Sequence, residues 1–248
     1  GVITANAQTV PLERDFVGRL APFRSSDVRA RVPGVLTRRV YQEGSDVKEG
    51  QVLFQIDPAP LQAALSASQA QLASAQATYA NARASANRAR QLAPQKFVSQ
   101  SDLDNAEAAE RSAAAAVQQA KAGVASSRIN LDYASVRAPI SGRAGKQQVT
   151  EGALVGQGDA TLLTTIDQID PLFVNFSISV SELDQLRRAQ NVSLAGNAES
   201  SVSVILADGS TYAQTGTLDF SSTVVDPATG AVSLRARIPN PDTNLLPG

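Results

Sequence analysis

The chain contains no cysteine, histidine, tryptophan or methionine. Without cysteine there is no disulfide framework and no thiolate chemistry. Without histidine, the commonest metal ligand and the commonest general base are both missing. Seven Phe and four Tyr are the only aromatics in 248 residues, too few to suggest a stacking platform for bases or sugars. Neither charge sign dominates. The 22 basic and 23 acidic residues nearly cancel, which argues against an electrostatic footprint for nucleic acid. No apolar run reaches the roughly 20 residues of a membrane span, and no signal peptide is visible. The chain starts at Gly1 and closes on Leu245-Leu246-Pro247-Gly248. Those ends read as cuts in a longer, processed product.

What is present is a duplication. Val28-Arg29-Ala30, Gly34, Glu43-Gly44, Val47 and Gly50 recur as Val136-Arg137-Ala138, Gly142, Glu151-Gly152, Val155 and Gly158, each pair 108 residues apart. Eight identities over the 23 positions from Val28 to Gly50 stand against the one or two that average usage predicts, roughly. A small β module has been split and something inserted into it.

The insertion is helical. No glycine lies between Gly50 and Gly123, and Pro94 is the only proline between Pro60 and Pro139. Alanine, the best helix former, is abundant throughout this interval, and the strongest helix breakers are nearly absent. Two helices with a turn near Pro94 are predicted. Asp57 is a good N-cap with Pro58 in the first helical position. Ser99 or Ser101 can cap the second helix, and Asp102, Asp104, Glu107 and Glu110 crowd its first turns, where the helix dipole favours negative charge.

The apolar spacing is seven. Leu65, Leu72 and Tyr79 line the first helix. Leu103, Val117, Val124 and Leu131 line the second, interrupted by Glu110. The other seam position is small: Ser68, Ala75, Ala82 and Ala89, then Ala106, Ala113, Ala120 and Ser127. A heptad repeat predicts a left-handed supercoil, and small seam residues let the backbones approach. The expectation is a long antiparallel coiled coil projecting as a stalk, with a first helix of about 50 Å.

The flanks read as β. Val52-Leu53-Phe54-Gln55-Ile56 matches Leu162-Leu163-Thr164-Thr165-Ile166. Leu172 to Val180 alternates with period two, the mark of a half-buried strand. Ser181 to Ala189 fits one short helix with Leu183 and Leu186 facing inward. Strands follow at Val202 to Leu206, Thr215 to Phe220 and Val232 to Ile238, with turns at Asp208-Gly209 and at Asp226 to Gly230. The predicted fold class is mixed α and β, elongated and multidomain. It comprises a β-barrel (1–27 and 168–248), a split β-sandwich (28–57 and 133–167) and the helical hairpin (58–132).

The repeated pattern resembles the two halves of a lipoyl or biotinyl carrier domain. Carriers hold a modified lysine in the tight hairpin joining the halves. Here the helical insertion replaces that hairpin, and the nearest lysines are Lys48 and Lys121, with Lys96 at the far tip. No cofactor is expected. A split lipoyl module bearing a helical hairpin, with a β-barrel beyond it, resembles the periplasmic adaptors (membrane fusion proteins) of resistance–nodulation–division (RND) multidrug efflux pumps. The stretches Glu43 to Gly50 with Gln55 to Pro58, Ala138 to Arg143, and Asp226 to Gly248 carry the likeness. The resemblance implies a non-enzymatic protein of the Gram-negative periplasm, held at the inner membrane by a lipid anchor outside this chain. Its partners would be a proton-driven inner-membrane transporter, a TolC-type outer-membrane channel and further copies of itself in a ring or sheath.

Adaptors of this family carry Arg, three residues, Leu, six residues, Ser around the hairpin turn, and Arg88, Leu92 and Ser99 fit that spacing. The resemblance assigns these three to the channel contact. Each has a plainer reading. Arg88 fits an exposed helix residue paired with Asp102 or Asp104. Leu92 fits seam packing, and Ser99 fits a cap. Glu43-Gly44 and Glu151-Gly152 read as turn chemistry, and Asp57, Asp167 and Asp170 as a cap and strand-end turns. Other functional readings are an adaptor of an ATP-driven or metal-efflux transporter and, from a different class, a carrier domain. Direct ion handling would need Met, His or Cys, all absent. An ordinary enzyme would have to rely on carboxylates, Ser or Lys, and no paired arrangement is evident.

Overall fold

The computed structural model describes residues 14–158, 160–182, 185, 201–206, 208–221, 225–227 and 229–248. It divides into two compact units. One holds Asp27–Pro139 and Ala144–Thr165. The other holds the described parts of Gly1–Ser26, Ile140–Arg143 and Ile166–Gly248.

In the first unit the duplicated segments form one pseudo-symmetric body. Strands β2 (Gly34–Arg39), β4 (Val52–Ile56), β5 (Ser135–Arg137) and β7 (Leu154–Val155) make a sheet in the order β5-β4-β2-β7, to which the short β3 (Asp46–Val47) and β6 (Gly142–Ala144) do not belong. The halves exchange equivalent hydrogen bonds. Gly44 N–H donates to the Ala144 carbonyl and Gly152 N–H to the Leu36 carbonyl, both at 2.8 Å. Leu36 N–H donates to Ala153 at 2.9 Å, and Ala144 N–H to Ser45 at 3.0 Å. Every one of these residues lies 108 positions from its counterpart. Gly44 and Gly152 take left-handed φ values of 75° and 85°, a turn conformation that glycine adopts without steric cost. The repeated Val28, Ala30 and Val47 are buried, as are Val136, Ala138 and Val155. Leu36, Leu53, Phe54, Ile56 and Leu163 are fully buried in the same unit. Burying such side chains, at about 25 cal/mol per Å² of apolar surface, is what holds the two halves together.

The glutamates of the two Glu-Gly pairs do more than terminate turns. Glu151 Oε1 accepts the Arg39 backbone N–H at 2.7 Å, and Glu43 Oε1 accepts the Gln147 backbone N–H at 2.9 Å. Again each residue sits 108 positions from its equivalent. Each half lends a carboxylate to a backbone donor of the other.

The chain leaves this body after Ile56 and returns at Ala134, whose carbonyl accepts Ile56 N–H at 2.8 Å. Between them lie α1 (Ala59–Leu92) and α2 (Gln100–Asp132). Pro58 already has helical dihedrals, and Asp57 Oδ1 accepts Ala59 N–H at 3.0 Å, so the cap is where the sequence puts it. The 34 residues of α1 span about 50 Å. The helices pack along each other on the predicted seam, every member of which is buried or half-buried, from Leu65 to Ala89 and from Leu103 to Leu131. Ser68 and Ser127 meet across it, Oγ to Oγ, at 2.7 Å. The outer faces are exposed.

In the second unit the main strand is β8 (Leu162–Ser179), which begins in the other unit and is continuous where the sequence suggests two strands. Here β8 pairs with β11 (Ala231–Ile238), β11 with β10 (Gly216–Ser221), and β10 with β9 (Ser201–Val202). β1 (Gly18–Arg29) also pairs with β8. The Asp208-Gly209 turn forms, with Leu206 N–H on the Ser210 carbonyl at 2.8 Å, as does the turn closing Gly230 N–H on Asp226 at 2.8 Å. Ile169, Leu172, Val174, Ile238 and Leu245 make the core, with Leu20, Phe176 and Tyr212 against it. The expected barrel does not close among the described residues. The sheet runs out at the short β9, and Ile205 and Thr211 add an isolated bridge instead of a long hairpin. Of the expected helix from Ser181 to Ala189, residues 181, 182 and 185 are helical, with Val180 helical just before them. The rest, with Leu183 and Leu186, lies outside the described residues.

Candidate functional site

The hairpin turn is built from local signals. Helix α1 stops at Leu92, and Ala93–Gln95 form one 3-10 turn that accommodates Pro94 near its start. Lys96 then takes a left-handed conformation, φ 58°, and its N–H bonds the Ala93 carbonyl at 3.0 Å. Phe97 N–H reaches the Leu92 carbonyl at 3.3 Å. Ser99 opens α2 as an N-cap with extended backbone. Its Oγ accepts Asp102 N–H at 3.1 Å and donates to Asp102 Oδ2 at 2.6 Å. Asp102 also places its charge in the first turn, where the helix dipole favours it.

The residues assigned to the tip separate into different duties. Ser99 is a cap. Arg88 donates to Ser85 Oγ at 3.0 Å on its own helix and has no carboxylate partner among the described residues, so the alternative pairing with Asp102 or Asp104 does not form. Asp104 instead accepts from Gln100 Nε2 at 3.0 Å. Leu92 is 40% exposed and lies off the seam, which passes through Ala89 and Ala93, so it is not seam packing.

The cross-hairpin role falls to Arg90, which the sequence reading did not single out. Its Nε donates to Glu107 Oε1 at 2.9 Å, its Nη2 to Glu110 Oε2 at 2.6 Å and its Nη1 to Asn87 Oδ1 at 2.9 Å. The hydrogen bonds to Glu107 and Glu110 hold its guanidinium above its already high ordinary pKa. The signal was available: a glutamate interrupting an apolar seam demands a facing cation. Phe97 was missed as well. It is 77% exposed, in a chain with few aromatics, in the turn that joins α1 and α2.

Three other features are structural. Tyr41 is buried edge-on against Phe54, with centroids 5.3 Å apart, and donates to the Gly145 carbonyl at 3.0 Å. Burial raises its pKa, partly offset by the nearby Thr164 hydroxyl and the Arg39 charge. Asp219 holds both Arg235 and Arg237 at 2.7 Å, and Arg235 stacks over Phe173. Asn240, fully buried, donates to the Ile169 and Leu245 carbonyls and accepts from Leu245 N–H. No group of described residues could hold a metal ion, and no described helix is long and apolar enough to cross a membrane.

The fold is thus a split sandwich interrupted by a helical hairpin, with Arg88, Leu92 and Phe97 exposed at and next to its turn. Residues 24–167 match the barrel-sandwich hybrid domain of RND membrane fusion proteins, and residues 171–248 match the β-barrel domain of the same proteins. The chain belongs to the RND membrane fusion protein family. It is 42% identical over its whole length to the multidrug efflux pump subunit AcrA of Escherichia coli K12, covering 63% of that protein. It is 43% identical over its whole length to the multidrug resistance protein MexA of Pseudomonas aeruginosa, covering 62%. The chain thus spans less than two thirds of these curated relatives. Among solved structures it resembles a MacA–MexA chimera containing the MexA α-hairpin domain, with TM-score 0.65, 25% identity, and 93% of this chain and 74% of that one covered. The membrane fusion protein Spr0693 of Streptococcus pneumoniae R6 shares the fold at TM-score 0.67 and 16% identity, with 93% of each chain covered.

Proposed function

We propose that this chain is the core of a periplasmic adaptor in a tripartite multidrug efflux pump. It links a proton-driven RND transporter of the inner membrane to a TolC-type channel of the outer membrane. Several copies pack side by side, and the protein carries no chemistry of its own. It works in the periplasm of a Gram-negative bacterium, held at the inner membrane. In this reading, 28–57 with 133–167 is the lipoyl-like sandwich, 58–132 the hairpin, and 1–27 with 168–248 the barrel domain nearer the transporter.

The observation that carries the reading is the freedom of the tip. Cross-hairpin pairing is handled by Arg90, which leaves the Arg88 guanidinium and the Leu92 side chain available to a partner. A planar fork of donors suits carboxylates or carbonyls at the end of a channel helix, and Leu92 supplies an apolar knob. Ser99 contributes by holding α2 in place and can share its hydroxyl. The test is site-directed cross-linking to the channel together with drug resistance in cells. Arg88→Ala and Leu92→Ala are expected to lower both, and wild-type coupling in both assays would remove the tip assignment.

A further inference from the structure

We infer that the helical hairpin has a compliant joint part-way along its length, Ser68–Ala75 of α1 opposite Ala120–Ser127 of α2, which opens while the pairing on either side of it holds. The inference concerns the hairpin alone and does not rest on what its tip contacts.

The register of the joint follows from the Ser68–Ser127 contact, 2.7 Å between the two Oγ atoms. One heptad further along each antiparallel helix brings Ala75 level with Ala120, and Leu72 and Val124 lie between. All six of these seam residues are only half-buried. On the turn side of them Ala86, Ala89, Ala113 and Val117 are buried, and on the sandwich side Leu65 is buried. A seam that keeps part of its surface in water gains less from pairing, because stabilisation follows the apolar area removed.

Three further features weaken the same stretch. Gly123, the only glycine in either helix, lies in the middle of the α2 half of the joint. Open space surrounds the position where its Cβ would sit, so the residue brings backbone freedom without a packing role. Ser68 also donates to the Ala64 carbonyl and Ser66 to the Gln62 carbonyl, both at 3.0 Å, the i−4 pattern that loosens and bends helices. No ion pair can brace α1 here, since the helix carries no charged residue before Arg83.

Both flanks are fastened. Toward the turn, Arg90 joins Glu107 and Glu110 across the helices. Toward the sandwich, the Ile56 N–H bonds the Ala134 carbonyl at 2.8 Å and ties the two chain ends of the hairpin together. A weak stretch between two fastened ones opens in place, whereas a hairpin with a uniform seam frays from its free turn.

Amide hydrogen exchange of the whole chain, read residue by residue by NMR, tests this. Residues 70–75 and 121–127 should exchange about 10-fold faster than 86–90 and 110–117. Gly123→Ala should slow exchange in the joint about 3- to 5-fold and leave 86–90 and 110–117 unchanged. The double variant Ser68→Ala, Ser127→Ala replaces the polar layer with the better helix former and should act in the same direction. Protection that is uniform along both helices, or that falls steadily toward Pro94, overturns the inference. So does a Gly123→Ala variant that changes nothing, or one that slows exchange equally throughout the hairpin, because such a hairpin opens as one unit.

Discussion

Glu110 occupies a seam position of α2, and its Oε2 lies 2.6 Å from Nη2 of Arg90 on α1. Its side chain is only 16% exposed. A carboxylate at such a position is tolerated because a cation on the facing helix meets it, and the pair admits one alignment of the two helices. Specifying register is the best-attested use of a polar seam residue.

Unequal outcomes follow for the two partners. Arg90→Ala leaves Glu110 half-buried without its cation and should lower Tm. Glu110→Leu restores the apolar seam while Arg90 keeps Glu107, and should leave Tm unchanged or raised. Circular dichroism melts of the two variants decide this. A lower Tm for Glu110→Leu than for Arg90→Ala would contradict the account.

The reciprocal carboxylates predict matched effects. Glu43→Ala and Glu151→Ala each strip a backbone N–H, that of Gln147 or Arg39, of its acceptor. Each should cost about 1 kcal/mol in denaturant unfolding, because these are charge-assisted bonds at an exposed site. The glutamine variants keep an acceptor oxygen and should lose less. Clearly unequal costs for the two alanine variants would argue against an equivalent role.

Two glycines in left-handed conformations should respond differently to alanine. Gly152 has φ 85° with open space where a Cβ would go, so Gly152→Ala should cost about 1 kcal/mol of conformational strain. At Gly156, φ 72°, a Cβ would overlap the Val32 carbonyl oxygen, which is backbone and cannot swing away. Gly156→Ala should cost several times more, about 3 kcal/mol or above. Equal chemical denaturation midpoints would refute the close approach.

Alkaline pH should expose the role of Tyr41. Its pKa is raised in the fold, chiefly by burial, so the unfolded chain ionises first, near the ordinary value of 10.0. The stability it contributes is fully present below that pH and is lost as pH rises through the raised value. Tyr41→Phe lacks the bond to Gly145 and should be about 1 kcal/mol less stable at neutral pH. The gap to the parent should narrow above pH 10, since the other tyrosines are common to both chains. A constant gap across that range would place the hydroxyl elsewhere.

Much of the architecture was legible because its signals are local or periodic. The heptads, the run without glycine, the Asp57-Pro58 and Ser99 caps and the 108-residue repeat all depend on neighbours in the chain. Arg88 and Leu92 could be named from the family resemblance, but not their freedom, which arises because a different arginine takes Glu107 and Glu110.

By itself, then, the sequence determined that a duplicated β body is interrupted by an antiparallel helical pair, since periodicity and backbone preference act over a few residues at a time. The tertiary structure alone decided which cation faces Glu110 and that Phe97 is left bare. It also decided that Glu43 and Glu151 serve the opposite half, and that Asn240 is a fully bonded hub reaching Ile169 at a separation of 71 residues. These are pairings between distant positions. Their partners are chosen by where packing brings the backbone together, and no local preference encodes that choice.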